Sequence, residues 1–427
     1  MAEVLEKKLA PGPDERFDLD ARDDSLPLLL RLLERYGSIC RVPALTRASD
    51  GLVIHDPDDI RHVLLANRSN YVKGVGMDRV RVLLGNGLIV SDGELWARQR
   101  RLMQPAFHGQ AIRGFVPMME RVNLALIERW GASAARGETI DLGLELSEIA
   151  LTVVLQALLS RDLDRLIESE GENPFDLLTR ESRRDLPFAA RFRALTRFVR
   201  AIIETRRSEG RVEADFLSMM MQATDKASGE PMPDRALLDE VMTLIVAGHE
   251  TTASTLTWTW YLLSQNDGIE ARLHESLGAG SAATDDGLVE RVLQEALRLY
   301  PPVWLFTRRA LADDRLGGYD VPAGTDIFIC PYLLHRQPAH WDRPEEFDPA
   351  RFAGAVAASR HRFAYLPFSA GPRHCIGSGF AMTEMATHLT MVAQRFRLRY
   401  DGPTPPEAEF QINLRPRHAL HMLPVAR

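Results

Sequence analysis

The sequence predicts a mainly α-helical protein with a small β region. Three long segments carry apolar residues at helical spacing: 111–130, 142–159 and 187–207. A fourth helix, 233–264, is mostly apolar, and at 1.5 Å per residue it would be roughly 45 Å long, enough to cross a domain. Short apolar runs at 39–42 and 51–55 lack the helical period and predict strands.

Size and charge bound the number of domains and the kinds of partner. The chain has 427 residues, of which 45% are hydrophobic and 26% charged, an ordinary globular composition that can bury a large core. No linker rich in glycine and serine divides it, so we expect one domain over 1–427 with a short N-terminal tail at about 1–20. The net charge of -7 provides no basic field, so nucleic acid is not an expected partner.

Cysteine and lysine usage indicate a compartment and a source. Three cysteines, at 40, 330 and 375, are too few and too scattered for a disulfide framework, which favours a reducing compartment. The nearest apolar candidate for a membrane anchor, 26–33, is far too short, so we expect a cytoplasmic protein without a membrane span. Lysine is rare and arginine abundant, a bias typical of a GC-rich bacterial genome.

The first ninety residues mix helix and strand signals. Apolar residues at helical spacing over 25–36, followed by Gly37, predict a helix with a defined end. Asp56 and Pro57 open another helix after the second strand. The stretch 71–86 contains three glycines and has no clear period, so we interpret it as a long loop around a short helical piece.

A helix starting at 91–94 places two side chains of interest on one face. Trp96 and Arg100 lie four residues apart, so both can point the same way. Together they can offer an indole N–H and a guanidinium to one anionic group.

The long helix 233–264 is interrupted in its middle by Ala247-Gly248-His249-Glu250-Thr251-Thr252. Glycine in a helix interior costs about 0.5–1 kcal/mol relative to alanine, and such local conflicts are expected where function is. Small residues let a planar ligand approach the backbone, and a threonine hydroxyl can bond the carbonyl four residues back or admit a water. We interpret His249 as structural.

The following segments alternate again. Glu295 and Arg298 lie three apart in a predicted helix, 288–300, that ends at a diproline. Segment 316–325 predicts a hairpin with glycine-rich turns, whose strand pattern continues to a structural Cys330. The tail, 410–423, predicts a terminal hairpin.

The run 368–377, Phe-Ser-Ala-Gly-Pro-Arg-His-Cys-Ile-Gly, is the most constrained part of the chain. A thiolate is a soft, electron-rich ligand, and on an iron porphyrin it favours O–O cleavage. The glycines around Cys375 allow backbone amides to turn toward the sulfur, and Arg373 can pair with a haem propionate. A predicted helix, 379–396, follows, so its positive N-terminal end would help to hold the thiolate charge.

This run resembles, at every diagnostic position, the cysteine-ligand loop of the cytochrome P-450 family: an aromatic, two variable residues, Gly, one variable, Arg, one variable, Cys, one variable, Gly. The run 247–252 is similar to the family's Ala/Gly-Gly-x-Asp/Glu-Thr-Thr/Ser motif, and 347–352 to its meander. The motifs occur in the family's order over nearly the whole chain. The resemblance implies the cytochrome P-450 fold, with haem between the long helix and the cysteine loop.

The resemblance also implies catalytic and haem-binding roles. Cys375 would be the axial ligand of the haem iron, Thr251 a hydrogen-bond partner at the oxygen site, and Glu250 an acidic relay for protons. Arg308 is preferred to Arg309 as a propionate ligand. The remaining haem contacts implied are Trp96, Arg100, Ala247, Gly248, Phe368, Arg373 and Gly377.

Substrate and folding roles follow from the same resemblance. The residues expected to face an apolar substrate are Val75, Met77, Val246, Ala247, Val303, Leu305 and Phe306. Residues 174–200 correspond to the family's lid, and the tip of the tail hairpin, 411–413, would approach the substrate. Glu295, Arg298 and Arg351 would form a buried structural triad.

The reaction implied is insertion of one atom of O2 into a terpenoid, fatty acid or polyketide-like substrate, with haem b as cofactor. Electrons would come from NAD(P)H through a ferredoxin or flavodoxin with its reductase, and charge alone suggests Arg98 and Arg101 as contacts for that partner. Two alternatives stay open: a haem-thiolate peroxygenase, isomerase or dehydratase, and a non-enzymatic haem sensor. The adjacent Glu250 and Thr251 argue against the first, and no output domain is apparent for the second.

Overall fold

The computed structural model describes residues 8–180, 186–278 and 287–427 and is mainly α-helical with small β-sheets, so the predicted fold class is confirmed. The chain divides into two compact units, each assembled from segments that are distant in sequence. Unit 1 consists of Met1–Asp78, Leu297–Cys375 and Ala408–Arg415. Unit 2 consists of Arg79–Ala296, Ile376–Glu407 and Pro416–Arg427.

The α-helices of the described residues are, in chain order, α1 (Ser25–Tyr36), α2 (Pro57–Arg61), α3 (Met77–Leu84), α4 (Gly93–Met103), α5 (Gly109–Arg136), α6 (Leu142–Leu159), α7 (Arg161–Glu170), α8 (Leu177–Arg180), α9 (Leu186–Glu209), α10 (Phe216–Gln222), α11 (Asp234–Ser264), α12 (Asp267–Gly278), α13 (Leu288–Leu299), α14 (Pro331–Leu334), α15 (Gly354–Ser359) and α16 (Ser378–Ala393). The predicted helices therefore form, with ends that differ from the prediction by a few residues at most in all but α5.

The strands are β1 (Ile39–Val42), β2 (Gly51–Ile54), β3 (Tyr71–Lys73), β4 (Ile140–Asp141), β5 (Phe306–Ala310), β6 (Asp314–Leu316), β7 (Tyr319–Val321), β8 (Asp326–Ile329), β9 (Phe396–Arg399), β10 (Ala408–Phe410), β11 (Leu414–Pro416) and β12 (His421–Ala426). Unit 1 holds a sheet of order β1-β2-β8-β5-β3 and the hairpin β6-β7, and unit 2 holds the sheet β4-β12-β9.

The sheet of unit 1 is organised around β2 and β8, which are buried along their whole length. They run parallel, with Gly51 opposite Asp326 and Ile54 opposite Ile329. A Cβ at Gly51 would lie 2.6 Å from the ring of Phe328, so only glycine permits this approach of side chain to backbone.

The interpretation of 71–86 as a loop around a helical piece is wrong at its start. Residues Tyr71–Lys73 form the edge strand β3, which pairs with β5 so that Lys73 lies opposite Arg308. Three residues are too few for an alternating pattern to show in the sequence. The expected helical piece is α3.

Residues 8–20 belong to unit 1 and are bonded to its other segments. The amide of Arg41 donates to the carbonyl of Pro11 at 2.8 Å, and the amide of Asp320 donates to the carbonyl of Lys8 at 2.8 Å. Leu19 is fully buried. These backbone bonds and this burial give the segment a fixed place in the unit.

The core of unit 2 contains α6 and α11, which pack against each other, and Leu155, Leu158 and Trp258 of these helices are buried. The helix α6 is the one helix among the described residues that is long and apolar enough to cross a membrane, and 61% of its 18 residues are buried inside the protein. This burial is that of a core helix, although the length and composition of the segment alone would also fit a membrane span.

Two buried polar networks connect helices of unit 2. Arg206 of α9 is buried and contacts Asp162 and Asp215, each at 2.6 Å. In the second network, the indole N–H of Trp260 donates to Nε2 of His388 at 3.0 Å, and Nδ1 of His388 donates to Oδ1 of Asn123 at 2.7 Å. Burial lowers the pKa of His388 to about 3, so this histidine is neutral and links three helices.

The tail differs from its prediction. Strands β10 and β11 form the expected hairpin, but it ends at Pro416. Residues His421–Ala426 instead form β12, which pairs with β9 and β4 in unit 2. The sequence of 410–423 predicts strands and a turn. It contains no signal that the last strand, β12, pairs in a different sheet from β10 and β11.

Candidate active site

The cysteine loop of unit 1 is shaped by two residues with left-handed backbone. Gly371 has φ of 69° and Ser369 has φ of 58°. A Cβ at Gly371 would collide with the carbonyl oxygen of Leu64, so the loop can adopt this path only with glycine at that position. The loop is closed by the amide of Cys375, which donates to the carbonyl of Phe368 at 2.9 Å.

The three cysteines differ in burial. Cys40 and Cys330 are buried, and burial raises the pKa of these thiols to about 11 and about 12. Cys375 is the exposed one. A metal ligand must be a thiolate, which burial disfavours at Cys40 and Cys330, so Cys375 stays the predicted ligand.

A buried histidine holds the start of this loop. Nε2 of His335 accepts the amide N–H of Leu366 at 2.8 Å, and Nδ1 donates to the carbonyl of Arg298 at 3.2 Å. Burial lowers the pKa of His335 to about 3, which keeps the ring neutral and lets one nitrogen accept. The partners of His335 are distant in sequence, so a lone histidine gives no signal of them.

The two arginines of β5 have different partners. Arg309 binds Asp326 through two hydrogen bonds, of 3.0 and 2.8 Å. Arg308 is buried, and its guanidinium lies 5.2 Å from the ring of Phe306. The charge of Arg309 is therefore matched inside the unit by Asp326, and the choice of Arg308 as the ligand of an anionic group stays a prediction.

The residues predicted to face substrate are partly brought together in unit 1. The hydroxyl of Thr307 donates to the carbonyl of Val75 at 3.0 Å. This bond places Val75 beside the start of β5, where Phe306 precedes Thr307. The tail hairpin is anchored to the same region, because the indole N–H of Trp304 donates to the carbonyl of Gln411 at 2.7 Å. Leu305 is buried, and Val303 is 39% exposed.

The members of the predicted triad are all buried. Glu295 and Arg298 are fully buried and lie one turn apart on α13, and Arg351 is 6% exposed. Arg298 donates to the carbonyls of His335 at 3.0 Å and Pro344 at 2.6 Å. Buried guanidinium groups that each satisfy several carbonyls fit a structural role.

The interruption of α11 in unit 2 remains helical. The hydroxyl of Thr251 donates to the carbonyl of Ala247 at 2.8 Å, so the polar group is satisfied within the helix. His249 is buried, and its Nδ1 lies 3.1 Å from the carbonyl of Ile245, consistent with a structural role. Glu250 and Val246 are half-buried.

Gly248 has a reason that the sequence did not reveal. A Cβ on Gly248 would lie 2.8 Å from Cγ2 of Val154, so glycine is needed where α6 crosses α11. This contact explains the glycine, and its place at a cofactor stays a prediction.

The two residues predicted to bind a propionate, Trp96 and Arg100, lie on α4, and their role stays a prediction. Trp96 and Arg100 are both half-buried on the same helix, and Nε of Arg100 donates to Oε1 of Gln104 at 2.9 Å. The neighbouring Arg98 and Arg101 both bind the buried Asp225, at 3.5 and 3.0 Å. Charge alone therefore no longer distinguishes them as contacts for a redox partner.

The mainly α fold, the exposed cysteine in a glycine-dependent loop and the threonine within the longest described helix are features that fit a haem-thiolate protein. The family profile described as Cytochrome P450 matches residues 21–422. The chain is 38% identical to cyclooctatin synthase of Streptomyces melanosporofaciens, over 80% of this chain and 79% of that protein. It is 34% identical to pentalenene oxygenase of Streptomyces avermitilis, over 80% of each.

A solved structure supports the fold. The haem domain of cytochrome P450DA superposes with a TM-score of 0.84 over 99% of this chain and 98% of that one, at 23% identity. The chain belongs to the cytochrome P450 family and is a P450 monooxygenase. The family carries haem, and the residues present fit it, because one exposed thiol stands in a fixed loop and a buried guanidinium is present at Arg308.

Proposed function

We propose that this chain inserts one atom of O2 into a terpenoid, with haem b as its cofactor. The observation that carries the proposal is the 368–377 loop, which fixes an exposed Cys375 while the other two thiols are buried. The names of the relatives, which refer to cyclooctatin and pentalenene, support a terpenoid over a fatty acid or polyketide. The half-buried or buried apolar residues Val75, Val246 and Leu305 suit such a substrate.

The residues that would hold the haem have distinct tasks. Cys375 would ligate the iron as thiolate. Side chains with N–H donors would bind the propionates: Trp96, Arg100, Arg308 and Arg373. Small or flat residues would contact the porphyrin ring: Ala247, Gly248, Phe368 and Gly377. The haem, when bound, would supply the redox-active iron at which O2 reacts.

Thr251 and Glu250 would manage protons. The Thr251 hydroxyl donates its hydrogen bond to the Ala247 carbonyl. The hydroxyl oxygen can therefore accept a hydrogen bond from a ligand without any rearrangement. To donate elsewhere, the hydroxyl must leave that carbonyl. Glu250, the residue before Thr251, would hold the proton that replaces the one given up by the Thr251 hydroxyl.

Electrons would come from NAD(P)H through a ferredoxin or flavodoxin and its reductase. We also propose that the enzyme works in the cytoplasm of a bacterium as part of secondary metabolism. The presence of only three cysteines and the Streptomyces relatives support this setting.

The first test is the absorption spectrum of the dithionite-reduced protein under carbon monoxide. The proposal expects a strongly red-shifted Soret band in wild type and in Cys40→Ala, and its loss in Cys375→Ala. A band at the position of a histidine-ligated haem in wild type, or an unchanged band in Cys375→Ala, would remove the thiolate from the site. Titration of the ferric protein with a cyclic terpene alcohol and with a fatty acid of equal carbon number then tests the substrate class by the Soret shift.

A further inference from the structure

The carboxyl groups of two consecutive residues of α11 hold the segment 85–91, which lies between α3 and α4. The amide N–H of Asn86 donates to Oδ2 of Asp239 at 2.9 Å. The amide N–H of Leu88 donates to Oε2 of Glu240 at 3.0 Å. Glu240 is fully buried and Leu88 is 9% exposed, so the second bond is shielded from water.

Two glycines allow the segment to come this close to α11. Gly85 has φ of 65°, and a Cβ there would collide with the carboxylate of Asp239. A Cβ at Gly87 would collide with Oγ1 of Thr243, one turn further along the helix. The two glycines let the backbone of the segment approach α11 closely enough to bond the carboxyl groups of Asp239 and Glu240.

The same segment is held from the other side by α4. Gln99 is only 3% exposed, and its Nε2 donates to the carbonyl of Asn86 at 3.2 Å. The peptide groups of Asn86 are thus bonded to α11 through the amide and to α4 through the carbonyl. Gln99 lies directly before Arg100 and three residues after Trp96.

We propose that Asp239 and Glu240 are positioning residues that fix α4 relative to α11 through the 85–91 segment, and so set the place of Trp96 and Arg100. This inference rests on the proposed role of Trp96 and Arg100 as propionate ligands. The contact spans about 150 residues of sequence and involves main-chain groups of the segment, so it constrains the path of the backbone rather than one side chain.

The chain offers variants that separate positioning from simple stability. Glu240→Leu removes the acceptor for the Leu88 amide, and Glu240→Gln keeps an acceptor oxygen in nearly the same place. Asp239→Ala is the milder alternative should Glu240→Leu fail to fold. Asp141→Ala is a matched control, because Asp141 also accepts a backbone amide, that of Leu144 at 3.2 Å, but at the start of α6.

The experiment uses the haem-loaded protein and two measurements, hydrogen exchange of individual amides and the rate of haem transfer to excess apomyoglobin. We expect about tenfold faster exchange at Leu88 and about tenfold faster haem transfer in Glu240→Leu, because a lost hydrogen bond to a buried amide is worth about that factor. Asp239→Ala should show the same at Asn86. Glu240→Gln and Asp141→Ala should stay near wild type in both measurements.

The outcomes distinguish the inference from the proposed function. If Arg100→Gln speeds haem transfer but Glu240→Leu and Asp239→Ala speed only amide exchange, the positioning role is overturned and the propionate role stands. If Arg100→Gln leaves haem transfer unchanged, the proposed role of α4 fails and the inference falls with it. Equal effects of Glu240→Gln and Glu240→Leu on haem transfer would also overturn the inference, since the retained acceptor should preserve the position.

Discussion

Glu240→Gln should stabilise the protein increasingly as the pH rises. Burial, helped by the nearby Asp239, raises the pKa of Glu240 from 4.5 to about 8. A carboxyl whose pKa is higher in the folded state keeps its proton there while the unfolded chain releases it. The stability it contributes is therefore fully present below pH 4.5 and is lost as the pH rises toward 8. Glutamine does not titrate, so it avoids this loss.

The magnitude follows from the two pKa values. Between them, each step of one in pH removes about 1.4 kcal/mol of folding free energy from wild type. The loss relative to low pH is therefore about 1 kcal/mol at pH 5.5 and about 4 kcal/mol at pH 7.5. The free energy of unfolding of Glu240→Gln minus that of wild type should thus grow by about 2–3 kcal/mol between these pH values. Any fixed cost of a buried amide cancels in this comparison.

Urea unfolding of wild type and variant at pH 5.5, 6.5 and 7.5, followed by far-ultraviolet circular dichroism, measures this difference. Glu384→Gln is the companion variant, because Glu384 is 2% exposed on α16 and burial also raises its pKa well above 4.5. His388→Gln should show the opposite sign, since burial lowers the pKa of that ring. A difference for Glu240→Gln that stays flat across the three pH values would refute the reasoning, because it would mean that Glu240 is ionised in the folded protein.

Three further substitutions test other parts of the structure. Glu295→Ala should yield little soluble haem-loaded protein, because Glu295 is fully buried and the predicted triad would make it a member of a buried charge network, whose loss costs about 3–5 kcal/mol. Normal haem content per chain would contradict this. Arg206→Met should lower the free energy of unfolding by a similar 3–5 kcal/mol by leaving Asp215 buried without its main partner, and urea unfolding would show a loss below about 1 kcal/mol if the network contributed little. Arg308→Gln should speed haem transfer to apomyoglobin more than Arg309→Gln, and the reverse order would assign the propionate to Arg309.

The parts of the fold that the sequence predicts are those in which the signal is local. The helix at Ser25–Tyr36 ends at Gly37 as predicted, since a periodic apolar face and a glycine stop lie in one short stretch. The strand Tyr71–Lys73 was missed because its only reason to be extended is its partner β5, more than 230 residues away. The same holds for β12, which joins a sheet that its own residues do not specify.

The candidate site shows the same division. The glycine-rich pattern around Cys375 predicts an unusual backbone, but the reason that Gly371 must be glycine is the carbonyl of Leu64. For Gly248 the sequence suggested room for a cofactor, and the structure shows that the missing Cβ faces Val154. The choice of Arg308 over Arg309 rests on family register alone, and the sequence gives no sign that Arg309 binds Asp326.

Polar residues of α11 make their hydrogen bonds in two different ways. Thr251 and Thr255 donate to carbonyls four residues back, so their bonds lie entirely within the helix. Glu240 has its bond to another segment, the amide of Leu88. A hydroxyl that is satisfied internally can exchange its acceptor for a ligand without moving any other element, which suits a group that handles protons. A carboxyl bonded across to another segment cannot, and this suits a group that holds position.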